Sequence, residues 1–139
     1  MLLRACVFCD IVAGRAPASV LYRDERVLAF LDIRPITAGH TLVVPRRHAG
    51  GLADLDEEDG AHAFRVARRL AAALRRSGVP CEGVNLFVAD GAAAMQEVLH
   101  FHLHVLPRHR GDSFRVMADW SHPSRAELDR VAAAVRAVL

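Results

Sequence analysis

The sequence predicts an α+β fold: about five antiparallel strands, one long helix and a C-terminal helix. Three observations carry this expectation. Strand-like runs come first, a helical period fills residues 56–76, and more strand-like runs follow, with little of the alternation a parallel doubly wound sheet needs. The connections between strand candidates carry turn chemistry suited to hairpins. The last segment, residues 124–139, returns to helical spacing.

Taken in order, Val7 to Ile11 form a short apolar turn, and ASVLYRDERVLAFLDI reads as two strands around a charged turn at Arg23 to Arg26. The chain bends at Arg34-Pro35, and HTLVVP, from His40, is a third strand that Pro45 ends, because proline cannot donate to a ladder. From Asp56 to Arg76 the apolar stripe is Phe64, Ala67, Leu70, Ala71 and Leu74. Acidic residues open this helix, arginines close it, and Gly78 and Pro80 stop it. VNLFVA and VLHFHLHVLPR are the last two strands, joined by the glycine-bearing DGAAAMQEV. Ser124 and Glu127 form a capping-box pattern for a helix through Leu139, with Leu128, Val131, Val135 and Leu139 at helical spacing.

The 139 residues, 53% of them hydrophobic, fit one domain spanning 1–139. No apolar run nears the roughly 20 residues that cross a bilayer. The start, MLLRACVFCD, turns acidic before a signal-like stretch develops, so the expected compartment is the cytoplasm, with no membrane partner. A net charge of +2, with both signs spread along the chain, offers no basic stripe for nucleic acid. All 18 basic residues are arginine, which reads as coding bias. Three cysteines without a secretory leader argue for metal binding or burial over a disulfide framework, with Cys81 the bystander.

The distinctive stretch is VLHFHLHVLPR, with His100, His102 and His104 at every second position. On a strand that spacing puts three imidazoles on one face and Phe101, Leu103 and Val105 on the other. Spacing alone leaves open a zinc triad, a nucleophile with its partners, and coincidence. Cys6-x-x-Cys9 is a half-site spacing for tetrahedral zinc, or else two buried thiols. His62, His109 and His122 fit neither set and read as surface residues.

His100-Phe101-His102-Leu103-His104-Val105-Leu106 resembles the histidine triad (HIT) motif, His alternating with apolar residues and ending in two of them. The stretch from Cys6 to His48 is similar to the Hint-like branch, and DGAAAMQ and HVLPR also look like this superfamily, with echoes of its Fhit-like branch. The resemblance covers residues 6–110 and fades beyond Gly111, leaving 111–139 as a variable C-terminal segment. It implies a HIT-like fold and a homodimer whose sheets join. It also implies a hydrolase or transferase that cleaves at the α-phosphate of purine nucleotide phosphoramidates or dinucleoside polyphosphates.

Carried over by position, His102 is the nucleophile that forms a nucleotidyl-histidine, and His104 and His40 contact the phosphate. Val7, Phe8, Ile11, Phe30, Leu31 and Ile33 would surround the base, with Asp32 accepting from the ribose hydroxyls. Gln96 could donate from its loop. Zinc-containing bacterial members use a matching pair of cysteines and pair of histidines, which implies a structural zinc on Cys6, Cys9, His48 and His100.

Two departures stand out. Glu97 replaces the family's serine or threonine, whose hydroxyl is expected to bond the phosphate or the leaving group, and Ala89 replaces the asparagine of Hint-like members. An ionised carboxylate facing the site would repel phosphate. Glu97 therefore either turns away, is protonated, or assists a leaving group such as an amine. The alternative reading is a nucleotide-binding or interaction module with weak or vestigial catalysis. A catalytic metal held by the three triad histidines is the third.

Overall fold

The computed structural model describes residues 5–139. Helix α1 (Val7–Val12) precedes a hairpin of β1 (Val20–Arg23) and β2 (Val27–Leu31), then β3 (Thr41–Pro45). Helix α2 (Glu57–Arg76) follows, then β4 (Gly83–Phe87), β5 (Leu103–Arg108) and α3 (Arg125–Arg136). The five strands form one sheet in the order β1-β2-β3-β5-β4, and every neighbouring pair is antiparallel. This is the α+β arrangement the sequence predicts. No helix among the described residues is long and apolar enough to cross a membrane.

The sheet has two apolar faces, and strand alternation decides what each one covers. Val27, Ala29, Val43, Leu103 and Val105 pack on one face against Ala63, Val66, Ala67 and Leu74 of α2, with Phe101 joining them. Leu28, Phe30, Leu42 and Val44 point to the other face and meet Phe8 of α1. Because β2 and β3 are buried on both sides, they read as continuous apolar runs. His104, between Leu103 and Val105, points to the α1 face, where it shares a cavity with His40, His102 and Phe8.

Four local expectations are corrected. The α2 stripe runs through Ala63, Val66, Ala67 and Leu74, while Phe64 is exposed; it sits about 100° around the helix from Ala63. β5 begins only at Leu103, because the β3–β5 ladder pairs 41–43 with 103–105 and stops short of Pro45. Pro45 has no N–H to continue that ladder, and its carbonyl accepts from the His100 ring instead. α3 ends at Arg136, and although the predicted capping box is present, none of its residues is buried. Its apolar stripe finds no partner among the described residues. His62 is no free surface residue: its Nε2–H donates to Asp24 Oδ2 at 2.6 Å, tying α2 to the β1–β2 turn.

Two connections position the site. Between β2 and β3, the Asp32 N–H donates to the His40 carbonyl at 2.9 Å, holding the two residues opposite one another. Gly39, at φ +89, precedes His40; an added Cβ would come within 3.0 Å of Leu74 and Val79, so the turn needs glycine. Between β4 and β5, the Gln96 amide accepts from Gly91 N–H and donates to the carbonyls of Gly50 and Val98.

Candidate functional site

Two hydrogen bonds to backbone groups and one between rings assign the protons on the histidines. An amide can only donate, so the 3.1 Å contact from Ile36 N makes His40 Nδ1 an acceptor and leaves the proton on Nε2. That Nε2–H donates to His104 Nδ1 at 2.9 Å. His104, held neutral, then carries its proton on Nε2. A carbonyl can only accept, so the 2.7 Å contact between His102 Nδ1 and the His100 carbonyl puts the His102 proton on Nδ1 and its lone pair on Nε2.

Burial keeps two of these rings neutral. The His104 pKa is pushed down to about 3 by desolvation, then by the neighbouring His102 and His40. Desolvation also lowers His40, against a weaker opposing pull from Asp32, whose carboxylate lies 3.8 Å from its Nδ1. The His102 and His104 ring centroids are 4.8 Å apart, and Phe87 of β4 stacks on His104 at 4.0 Å and 13°. That contact follows from the register, since Phe87 and His104 are direct partners across β4 and β5.

These rings line a cavity of about 940 Å³ on the α1 face. Val7, Phe8, Ile11, Phe30, Leu31, Asp32 and Ile33 line it together with His40, His102 and His104. Phe8 meets the His102 ring edge-on at 5.2 Å. Ile33 is 92% exposed and reaches the cavity only at its rim. Glu97 also lines it, and its carboxylate is paired with Arg34 at 2.6 Å. Gln96 does not line it; its amide is taken up by Gly91 and Val98 of its own loop and by the Gly50 carbonyl.

Arg34, Asn85, Phe87, Phe114 and Val116 are lining residues that sequence reasoning missed. Asn85 and Phe87 carried a signal, the alternation of VNLFVA beside the histidine strand. Arg34 and Phe114 carried none.

The third triad histidine belongs to a different cluster. His100 is fully buried, and its Nε2–H donates to the Pro45 carbonyl at 2.8 Å, which leaves the Nδ1 lone pair free. That Nδ1 lies 3.4 Å from Cys6 Sγ, 3.5 Å from Cys9 Sγ and 3.2 Å from His48 Nδ1, and Cys9 Sγ lies 3.3 Å from His48 Nδ1. All four ligand atoms fall within 4.8 Å of one another. Zinc at ordinary Zn–S and Zn–N lengths has tetrahedral S···N edges of about 3.5 Å, so the donors are spaced to surround one such ion. Burial and then Cys6 push the Cys9 thiol up to about 11, so a cation taking this pair must displace protons. Asp32, His40 and His104 form a second group of close donor atoms, but His104 Nδ1 is already an acceptor from His40.

Comparison with known proteins places this arrangement. The sequence profile described as HIT domain matches residues 13–111. A HIT-like protein of Mycobacterium tuberculosis is 47% identical over 111 residues, covering 80% of this chain and 76% of that protein. The crystal structure of a Zn-bound histidine triad family protein from Mycobacterium smegmatis is 47% identical, with a TM-score of 0.77, covering 96% of this chain and 94% of that one. A histidine triad nucleotide-binding protein from Candida albicans is 25% identical, with a TM-score of 0.85 and 95% coverage of both chains.

Proposed function

Because the chain belongs to the HIT domain family, we propose that it binds purine nucleotides and cleaves them at the α-phosphate through a covalent nucleotidyl-His102 intermediate. Phosphoramidates and dinucleoside polyphosphates are the substrate classes. The observation that carries the reading is the His102 Nδ1–H bond to the His100 carbonyl, which leaves Nε2 with an unprotonated lone pair beside the cavity.

An imidazole with a free lone pair is a nucleophile at neutral pH and needs no base to activate it. In the first step His102 Nε2 forms a bond to the α-phosphorus as the bond to the leaving group breaks. The leaving group takes the electron pair and picks up a proton from solvent. In the second step water attacks phosphorus, the N–P bond breaks, and the nucleoside monophosphate departs. The His40-to-His104 relay fixes an N–H on His104 Nε2, a donor for the phosphoryl oxygens on which charge develops. Asp32, acceptor-only when ionised, suits the ribose diol, and Phe8, Ile11 and Phe30 suit the base.

Cys6, Cys9, His48 and His100 would hold a zinc ion whose role is structural, because four protein ligands leave no position for a reacting water. The likeness to the Zn-bound Mycobacterium smegmatis protein supports this. His100 then serves twice: its ring faces the ion, and its carbonyl orients the nucleophile.

A substrate panel of nucleoside phosphoramidates and dinucleoside polyphosphates, run with wild type and His102→Ala side by side, tests the proposal. At least one class should turn over on the order of 1000-fold faster in wild type. Equal rates across the panel would refute it and favour a binding module.

A further inference from the structure

Glu97 departs from the family pattern, and the structure gives it a partner. Arg34, on the segment after β2, and Glu97, on the loop before β5, approach to 2.6 Å across 63 positions of sequence. Both line the cavity, and with side chains 77% and 74% exposed they stand at its rim. Among the described residues that line the cavity Arg34 is the only arginine, and the other charged side chains are Asp32 and Glu97. His40 and His104, held neutral by burial, add no positive charge.

Each phosphate beyond the α-position brings further negative charge, and phosphoryl-transfer sites ordinarily meet it with free arginine, lysine or a metal ion. Here the one guanidinium among the described lining residues is already neutralised, and the carboxylate that neutralises it also lines the cavity. An uncharged leaving group meets no penalty at this rim, and an ammonium group is attracted by Glu97.

We propose that the Arg34–Glu97 pair is a specificity element that selects by charge. It admits nucleotides whose α-phosphate carries an uncharged or cationic leaving group and disfavours a polyphosphate chain. This rests on the nucleotide-hydrolase reading and narrows it to the phosphoramidate side. The selection works by repulsion as much as by attraction, as specificity often does. An exposed ion pair contributes little to folding, so either side chain can be changed in a folded protein.

The test is calorimetric affinity for AMP and ATP in magnesium-free buffer, using wild type, Glu97→Gln and Arg34→Gln. Glu97→Gln keeps the shape, removes the negative charge and frees Arg34; the ratio Kd(ATP)/Kd(AMP) should fall by roughly fivefold or more. Arg34→Gln leaves the carboxylate unopposed, and the ratio should rise. Both changes should shrink in high salt, because the charges are exposed. An unchanged ratio in Glu97→Gln, or movement of both variants in the same direction, overturns the charge filter. Wild type binding neither nucleotide would refute the nucleotide reading itself, and this inference with it.

Discussion

The carbonyl of His100 accepts from His102 Nδ1–H at 2.7 Å, so the residue whose ring faces Cys6 and Cys9 also sets the proton of its neighbour's ring. One residue thus joins the cysteine–histidine cluster to the cavity. Phe8 reinforces the junction, meeting the His100 and His102 rings edge-on at 5.9 and 5.2 Å.

The cluster predicts a metal. Purified protein should contain about one zinc per chain, since the cluster supplies four protein ligands for one ion. Cys9→Ser should lower that content and reduce the melting temperature by roughly 10 °C, because binding energy at such a site is folding energy. Elemental analysis and calorimetry check this. A metal-free wild type as stable as the variant would contradict it.

The buried histidines predict a pH dependence of stability. His104 titrates near 6.5 when unfolded and at about 3 when folded, because burial disfavours its charged form. Between those values the unfolded chain binds more protons, so stability rises with pH there. This contribution is complete above the unfolded pKa and is lost as pH falls toward the folded one. Urea midpoints should therefore drop between about pH 7 and pH 4.5, and drop less steeply in His104→Asn. Parallel slopes for the two proteins would contradict the assignment.

Asp24 predicts a stability hot point away from the cavity. Its carboxylate accepts from Tyr22 Oη–H, the Arg26 and Val27 amides and His62, which holds it well below the usual carboxylate range. Asp24→Ala leaves those donors without their acceptor and should cost roughly 2–4 kcal/mol in denaturant titration. A cost below about 1 kcal/mol would mean that water replaces the carboxylate.

Exposed apolar side chains predict a dimer. Trp120, Met117 and Val116 are exposed, as is the Leu128, Val131 and Val135 stripe of α3, and β4 is an outer strand of the sheet carrying the exposed Leu86. A second copy of this chain, joined through these surfaces, would cover them. Sedimentation should return twice the chain mass, and Trp120→Glu should shift it toward monomer. A wild-type monomer at micromolar concentration would contradict this.

Local periodicity made much of this legible. The capping box of α3, the start of α2 at its Asp56 cap and the alternation of the histidine stretch are properties of a few adjacent residues, and each is present. The alternation even survives where the ladder does not, since Phe101 joins the α2 core while His102 lines the cavity. Contacts set by register and loop path were not legible. The Phe87–His104 stack depends on the β4–β5 offset, the Arg34–Glu97 pair on two loops meeting, and the Asp24–His62 bond on where α2 lands. Helical spacing marked Leu128, Val131 and Val135 on α3 and overran to Leu139 beyond its end, and spacing does not say what covers such a stripe.

The covalent intermediate is the central claim, and intact-mass analysis after rapid mixing with an adenosine phosphoramidate tests it most directly. Wild type should gain the mass of one adenylyl group, mapped to His102 and discharged by water, and His102→Ala should gain none. Turnover of the substrate with no adduct, or an adduct that persists in His102→Ala, would contradict the account.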